Sequence, residues 1–251
     1  MAGGRPVNTI VSMTGAVFLL SSMVPNACAI ELEFAVASIR PSEPQSPVSR
    51  PRMGPIVFSR RGSLKELICL AYGLEKLQIM GGPKWLETQQ YDVEAKAESP
   101  AQPSDILQML RSLLRDRFNL QVHSGSQVMS VYALVVFDRR DTLRDAAKET
   151  PPDGVGAIQV DTADVRGRGV TTRLLARYLT FEVGRLVLDE TALDGHYDFT
   201  ISFGEVKPPE GSPEAFGPLA NAIKDLGLRL EARRANVPVL IIESAAPPLA
   251  N

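Results

Sequence analysis

The chain has only two histidines, and one of them, His196, stands two residues before Asp198 in a stretch that also holds Asp189, Glu190 and Asp194. On an alternating strand His196 and Asp198 would face the same side, as a general acid/base pair or a metal site requires. The same residues also fit a plainer role. Asp194-Gly195 is ordinary turn chemistry, and polar residues on a half-exposed strand simply meet water. His196, Asp198 and Asp194 are therefore weak catalytic candidates. Neither histidine has a second histidine or cysteine two or four residues on, and the chain carries no zinc-protease helix motif, nucleophile elbow, phosphate loop or dinucleotide fingerprint. No metal and no cofactor is expected. His123 alternates with Gln121 opposite Leu120 and Val122, the pattern of a strand residue facing solvent.

Binding chemistry has one better starting point. The single tryptophan, Trp85, follows the turn Gly81-Gly82-Pro83-Lys84, and an aromatic held on a turn can stack on a sugar ring or anchor a peptide. Lys84, Trp85 and, six residues on, Tyr91 are the weak ligand-binding candidates. The competing role for Trp85 is a plug sealing a sheet edge, since a lone tryptophan is commonly mostly buried. Cys69 lies in the apolar run Leu67-Ile68-Cys69-Leu70-Ala71, where burial raises a thiol's pKa and withholds the thiolate. It is expected to be inert.

The elements that would position these residues recur. Tyr91-Asp92-Val93, an amphipathic run over 106–118 and an apolar strand from Val131 reappear as Tyr197-Asp198-Phe199, a run over 215–226 and a strand near Pro238, at offsets of 106, 109 and 107 residues. The near-constant offset suggests two tandem copies of a unit of roughly one hundred residues. In the first, 33–39 and 56–59 read as strands, and Ser63 caps a helix over 64–72 that Gly73 stops. A strand over 91–96 follows, then a helix capped by Ser104 or Asp105, then an antiparallel pair at 120–123 and 132–137. In the second, Thr171 or Thr172 opens a helix, a strand runs over 196–203, and the copy closes on a strand pair at 228–232 and 237–242. The fold class is α+β, two tandem helix-strand-helix-strand units whose mainly antiparallel sheets carry helices on one face.

Segment boundaries follow from composition. Arg5 is the only charge before Glu31, the 9–24 stretch is apolar but short for a membrane span, and Ala27-Cys28-Ala29 offers small residues to a signal peptidase. Residues 1–29 read as a secretory signal cleaved after Ala29. The rival is a lipoprotein signal acylated at Cys28, against which Pro25 stands where an aliphatic residue belongs. Residues 30–140 form the first unit, 141–156 a linker containing Pro151-Pro152-Asp153-Gly154, 157–246 the second unit and 247–251 a tail. Exposed connectors are expected at 41–55, 97–104 and 204–213. Once the signal is removed, one of the 27 basic residues is lost and all 29 acidic ones remain, so neither a nucleic-acid nor an anionic-membrane partner is expected and no integral span is left. The pairs Arg60-Arg61, Arg139-Arg140 and Arg233-Arg234 read as solvated loop and turn charge. Only Cys69 survives cleavage, so no intramolecular disulfide can form.

Several runs together resemble one family. They are Phe34-Ala35-Val36-Ala37-Ser38-Ile39-Arg40-Pro41, Leu67-Ile68-Cys69-Leu70-Ala71-Tyr72-Gly73, Gly81-Gly82-Pro83-Lys84-Trp85-Leu86, Tyr91-Asp92-Val93-Glu94-Ala95-Lys96, Val131-Tyr132-Ala133-Leu134-Val135-Val136 and Gly195-His196-Tyr197-Asp198-Phe199-Thr200. The chain is similar over nearly its whole mature length to a family of soil-associated secreted proteins of unknown function, abundant in acidobacterial genomes. The resemblance carries no active site. Some relatives resemble this domain joined to membrane zinc metallopeptidases of the beta-lactam-sensor type, which implies an extracytoplasmic sensing role. This chain departs from the family pattern at Leu186, where proline is usual, at Ala192, where glycine is usual, and at Asp138-Arg139-Arg140, in place of Gly-Pro-Lys.

Two functions remain. The sparse chemistry favours a non-catalytic exported module, periplasmic or extracellular, that binds a peptide, protein or envelope glycan on a sheet face or in the groove between units. The alternative is an exported hydrolase with an acidic and histidine site near 189–198. The oligomeric state stays open.

Overall fold

Two strands, β6 and β12 by chain order, organise the molecule. In the computed structural model, which describes residues 32–42, 52–137, 143–145, 156–161, 164–202 and 213–248, they are continuous over Gln121–Val136 and Leu228–Ser244. They pair antiparallel along their length, from Leu228 opposite Val136 to Ser244 opposite Gln121. This corrects the expectation that each closing segment is a local strand pair. Ser124-Gly125-Ser126 and Arg233-Arg234-Ala235-Asn236 look like turns, but the partner strand from the other half supplies their ladder, and long-range pairing overrides weak local propensity.

The remaining elements, in chain order, are β1 Val36–Pro41, β2 Arg52–Met53, β3 Val57–Ser63, α1 Leu64–Tyr72, a 3₁₀ turn Lys76–Gln78, β4 Ile79–Gly81, α2 Trp85–Thr88, β5 Gln90–Lys96 and α3 Pro103–Phe118 ahead of β6. After it come β7 Arg144–Asp145, β8 Ala157–Val160, β9 Asp164–Val170, α4 Thr172–Val183, β10 Val187–Asp189, β11 Tyr197–Ser202 and α5 Pro213–Lys224. Among the described residues these form three sheets, ordered β1-β5-β3-β2, β10-β6-β12-β4 and β7-β11-β9-β8. The architecture is α+β with mostly antiparallel sheets.

The middle sheet belongs to both halves. β4 lies parallel to β12, with Ile79 opposite Leu240, and β10 lies parallel to β6, with Val187 opposite Tyr132. Each short strand crosses to the long strand of the other half, and the two pairings are related by the same offset of 108 residues at both partners. The halves therefore share a sheet.

Local signals set the helices. Ser63 caps α1 in a capping box: its hydroxyl accepts from Glu66 N–H at 3.3 Å, and the Glu66 carboxylate accepts from Ser63 N–H at 3.0 Å. Gly73 ends the helix at φ 66°, and Thr171 and Gly184 do the same for α4. α3 starts earlier than Ser104 or Asp105: Gln102 is its N-cap, because Pro103 at the first helical position needs no hydrogen-bond acceptor and has a fixed φ suited to it. Asp105 serves instead from the third position, accepting from Gln102 N–H at 3.3 Å.

α1 and α3 bury Leu64, Leu67, Ile68, Leu110, Leu114 and Phe118 against Ile39, Phe58, Tyr91 and Val93 of the first sheet. A second core gathers Leu175, Leu179, Leu219 and Ile223 around Val165, Phe199 and Ile201. Among the described residues no helix is long and apolar enough to cross a membrane. The expected signal and Cys28, the Arg139-Arg140 pair, and most of the connectors at 41–55 and 204–213 and of the 141–156 linker lie outside the described residues.

Candidate functional site

Side chains of the first sheet alternate, so the neighbours Arg60 and Arg61 of β3 leave it on opposite faces. Arg61 points outward and binds Asp92 of β5 with two nitrogens, Nε at 2.6 Å and an Nη at 3.0 Å. That hydrogen-bonded pair holds the Asp92 carboxyl below its ordinary value. Arg60 points inward, beside Phe58, toward α1. Its Nε is buried without a hydrogen-bond partner among the described residues. Reading the pair as solvated charge is thus wrong on both counts: each residue is a partly buried strand residue.

Arg60 opens into a groove of about 530 Å³ between the two halves. Cys69, Leu70 and Leu74, from α1 and the turn after it, line one wall together with Leu77, and Arg177, Thr180 and Phe181 of α4 line the other. The size suits a small organic ligand or a short peptide. Two large apolar groups sit at the groove in contact with water: Leu77 is 42 % exposed and Phe181 61 %. Four of its charged groups are matched. Lys76 Nζ lies 2.8 Å from Glu66 Oε1, and Arg177 Nε lies 2.7 Å from Glu75 Oε1, the latter tying α4 to the start of the 3₁₀ turn across the groove. Burial alone would raise the Glu66 carboxyl, but the hydrogen bonds from Lys76 and Ser63 outweigh it and hold it below its ordinary value. Among the described residues Arg60 is the groove charge without a partner. Burial pushes the Cys69 thiol up to about 11, which withholds the thiolate at neutral pH.

Two carboxylates of the acid-rich segment accept hydrogen bonds from backbone and hydroxyl groups of the fold. Asp189 accepts from Thr172 Oγ1 at 2.7 Å, from Thr191 N–H at 3.1 Å and from Thr191 Oγ1 at 2.7 Å. Asp198 accepts from Gly169 N–H at 2.7 Å, where the β9–β11 register shifts between Tyr197 and Phe199. Glu190 pairs with Arg233, a residue of β12 rather than of a turn. Asp194 is exposed and His196 half-buried, just before β11 begins. Asp189 and Asp198 stand in different sheets. Among the described residues no three histidine, cysteine or acidic side chains are grouped so as to hold a metal ion.

The family described as "Protein of unknown function (DUF3738)" matches residues 65–245. The chain belongs to this family. No curated protein and no solved structure matches it. Both walls of the groove in this DUF3738 protein fall within the matched segment, while Arg60 lies five residues before it.

The other candidates are scattered. Trp85 opens α2, half-buried against the first core, and Lys84 beside it is exposed. Tyr91 is fully buried, edge-on to Phe118 with ring centroids 5.0 Å apart, so no ligand reaches it without opening the core. His123 is exposed and pairs with Glu243 at 2.9 Å. A second concavity, of about 600 Å³, lies on the outer face of the first sheet, lined by Val36, Ser38, Arg52, Val57, Glu94 and Lys96. The residues that sequence reasoning missed are Arg60, Arg177, Leu77 and Phe181. The alternation Phe58-Ser59-Arg60-Arg61 could have placed Arg60 inward, but nothing local says that α4 stands opposite.

Proposed function

We propose that this DUF3738 protein is an exported, non-catalytic binding or sensory module whose ligand, a peptide, a protein segment or an envelope glycan, enters the groove between its halves. The observation that carries the reading is the groove itself: an open cavity between α1 and α4 with apolar groups at its mouth and a cation, Arg60, unmatched among the described residues. The sequence of 1–29 supports export, and cleavage after Ala29 leaves the compact unit that begins at Leu32 whole. A hydrolase near 189–198 is less well supported, because both oxygens of Asp189 and one of Asp198 accept hydrogen bonds within the fold.

Thermal unfolding in the presence of peptide and glycan libraries tests the reading. A ligand at one hundred times its Kd should add about 2.7 kcal/mol to stability. Phe181→Ser, at an exposed position, should abolish that gain while the unliganded melting temperature stays put. A ligand that stabilises wild type and Phe181→Ser equally binds elsewhere and overturns the groove as the site.

A further inference from the structure

The polar lining of the groove specifies a ligand more narrowly than its shape does. We infer that the groove takes a ligand whose single carboxylate pairs with Arg60 and whose apolar body lies against Leu70, Leu74, Leu77 and Phe181. This rests on the binding reading above and names the ligand's chemistry.

Charge matching comes first. Glu66 is committed twice, through Oε1 to Lys76 and through Oε2 to the Ser63 N–H, and Glu75 is committed to Arg177. Among the described residues no hydrogen bond or ion pair engages the Arg60 side chain. A buried polar nitrogen without a partner is costly, and a guanidinium offers a planar fork of N–H donors that fits a carboxylate on two points. An incoming carboxylate would meet a cation that has no partner to give up among the described residues. A ligand cation would find both groove carboxylates already paired and Arg60 repelling it.

The apolar half of the argument is separate. Leu77 and Phe181 expose apolar surface from opposite walls, and Leu70 and Leu74 continue it inward. Covering that surface favours an apolar body adjoining the carboxylate. The C-terminus of an apolar peptide and the head of a medium-chain fatty acid share this chemistry.

Calorimetric titration of the full chain distinguishes these. The probes are acetyl-Leu-Leu-Phe as free acid and as amide, and decanoate beside decanol. The acid of at least one pair should bind at least about tenfold tighter than its neutral partner, as expected for a charge-assisted contact. Preference within the peptide pair marks a peptide C-terminus, and preference only within the decanoate pair marks a fatty acid; either supports the inference. Arg60→Gln should remove the preference, Arg60→Lys should keep part of it, and Phe181→Ser should weaken acid and neutral forms alike. Acid and neutral forms binding equally, with Phe181→Ser still weakening both, would sink the carboxylate inference and leave the groove reading standing. No Phe181-sensitive binding by any probe would overturn both. Should Arg60→Gln fail to fold, the acid-to-neutral ratio of the unaltered protein decides alone.

Discussion

The groove between α1 and α4 and the segment from Asp189 to Asp198 are opposites. The segment is rich in reactive residue types, yet two of its carboxylates hold the backbone together: Asp189 fastens Thr172 and Thr191, and Asp198 fastens Gly169 at a bulge. The groove is poor in such residues, and its thiol is silenced by burial, but it keeps a cation, Arg60, that has no partner among the described residues. A carboxylate that already accepts short hydrogen bonds is less available for chemistry, whereas an unmatched charge beside open space has yet to be used. Site potential lies in what the fold leaves unspent.

The largest effect that could break this contrast concerns Cys69. With its thiol pushed up to about 11, its thiolate fraction at pH 8 should be lower than that of free cysteine by about two orders of magnitude. Iodoacetamide should therefore label the native chain about 100-fold more slowly than the same chain in urea. Labelling within a few-fold of the unfolded rate would make the groove a reactive site after all.

Asp189→Ala comes next and probes the other region. It strips the acceptor from two buried threonine hydroxyls, at 2 % and 7 % exposure, although Thr172 retains Leu193 O at 3.1 Å. A loss of about 2 kcal/mol in urea unfolding is expected, and Asp189→Asn should recover part of it by keeping one acceptor oxygen. A destabilisation below about 0.5 kcal/mol would show that the carboxylate is free for other work.

Glu66→Ala tests the groove's matched charges. It removes the reciprocal cap of α1 and a partly exposed ion pair, for a loss of about 1 kcal/mol at neutral pH. The folded-state pKa of Glu66 is depressed, so its contribution is present above the unfolded value near 4.3 and fades as pH falls through the folded one. The stability gap between wild type and Glu66→Ala should therefore close below about pH 4. A gap unchanged down to pH 3 would mean that the carboxylate's charge plays no part.

Local rules were legible in the sequence wherever one segment decides its own structure. Ser63 with Glu66, and Gly73, fix α1, and the alternation at 91–96 fixes β5, since caps and pleats are written in adjacent residues. The long strands were not legible. Gly125 and Asn236 look like breakers, and only the ladder from the other half, with Gly125 lying under Ile241, keeps them extended. The groove was hidden for the same reason. Arg60 and Arg177 lie more than a hundred residues apart, and their companionship is a property of how α1 and α4 face each other. The segment at 189–198 drew attention because residue type is visible in a sequence and hydrogen-bond partners are not.

Ala192 gives the smallest test, and it bears on whether the acidic segment is built for shape. Its φ of 54° is left-handed, a conformation in which the Cβ of an L-residue crowds its own backbone at a cost of roughly 1–2 kcal/mol. Glycine removes that cost but loses about 0.4–1 kcal/mol through the greater freedom of the unfolded chain. Ala192→Gly should therefore stabilise the protein by about 0.5–1 kcal/mol, read as a higher urea midpoint at unchanged slope. The turn it sits in, held by Asp189 and by Thr191 accepting from Leu193 N–H at 3.3 Å, would be left with its hydrogen bonds intact and its strain removed. A neutral or destabilising result would show that the left-handed residue is not strained, and the segment would then owe its shape less to the backbone than to the Asp189 network alone.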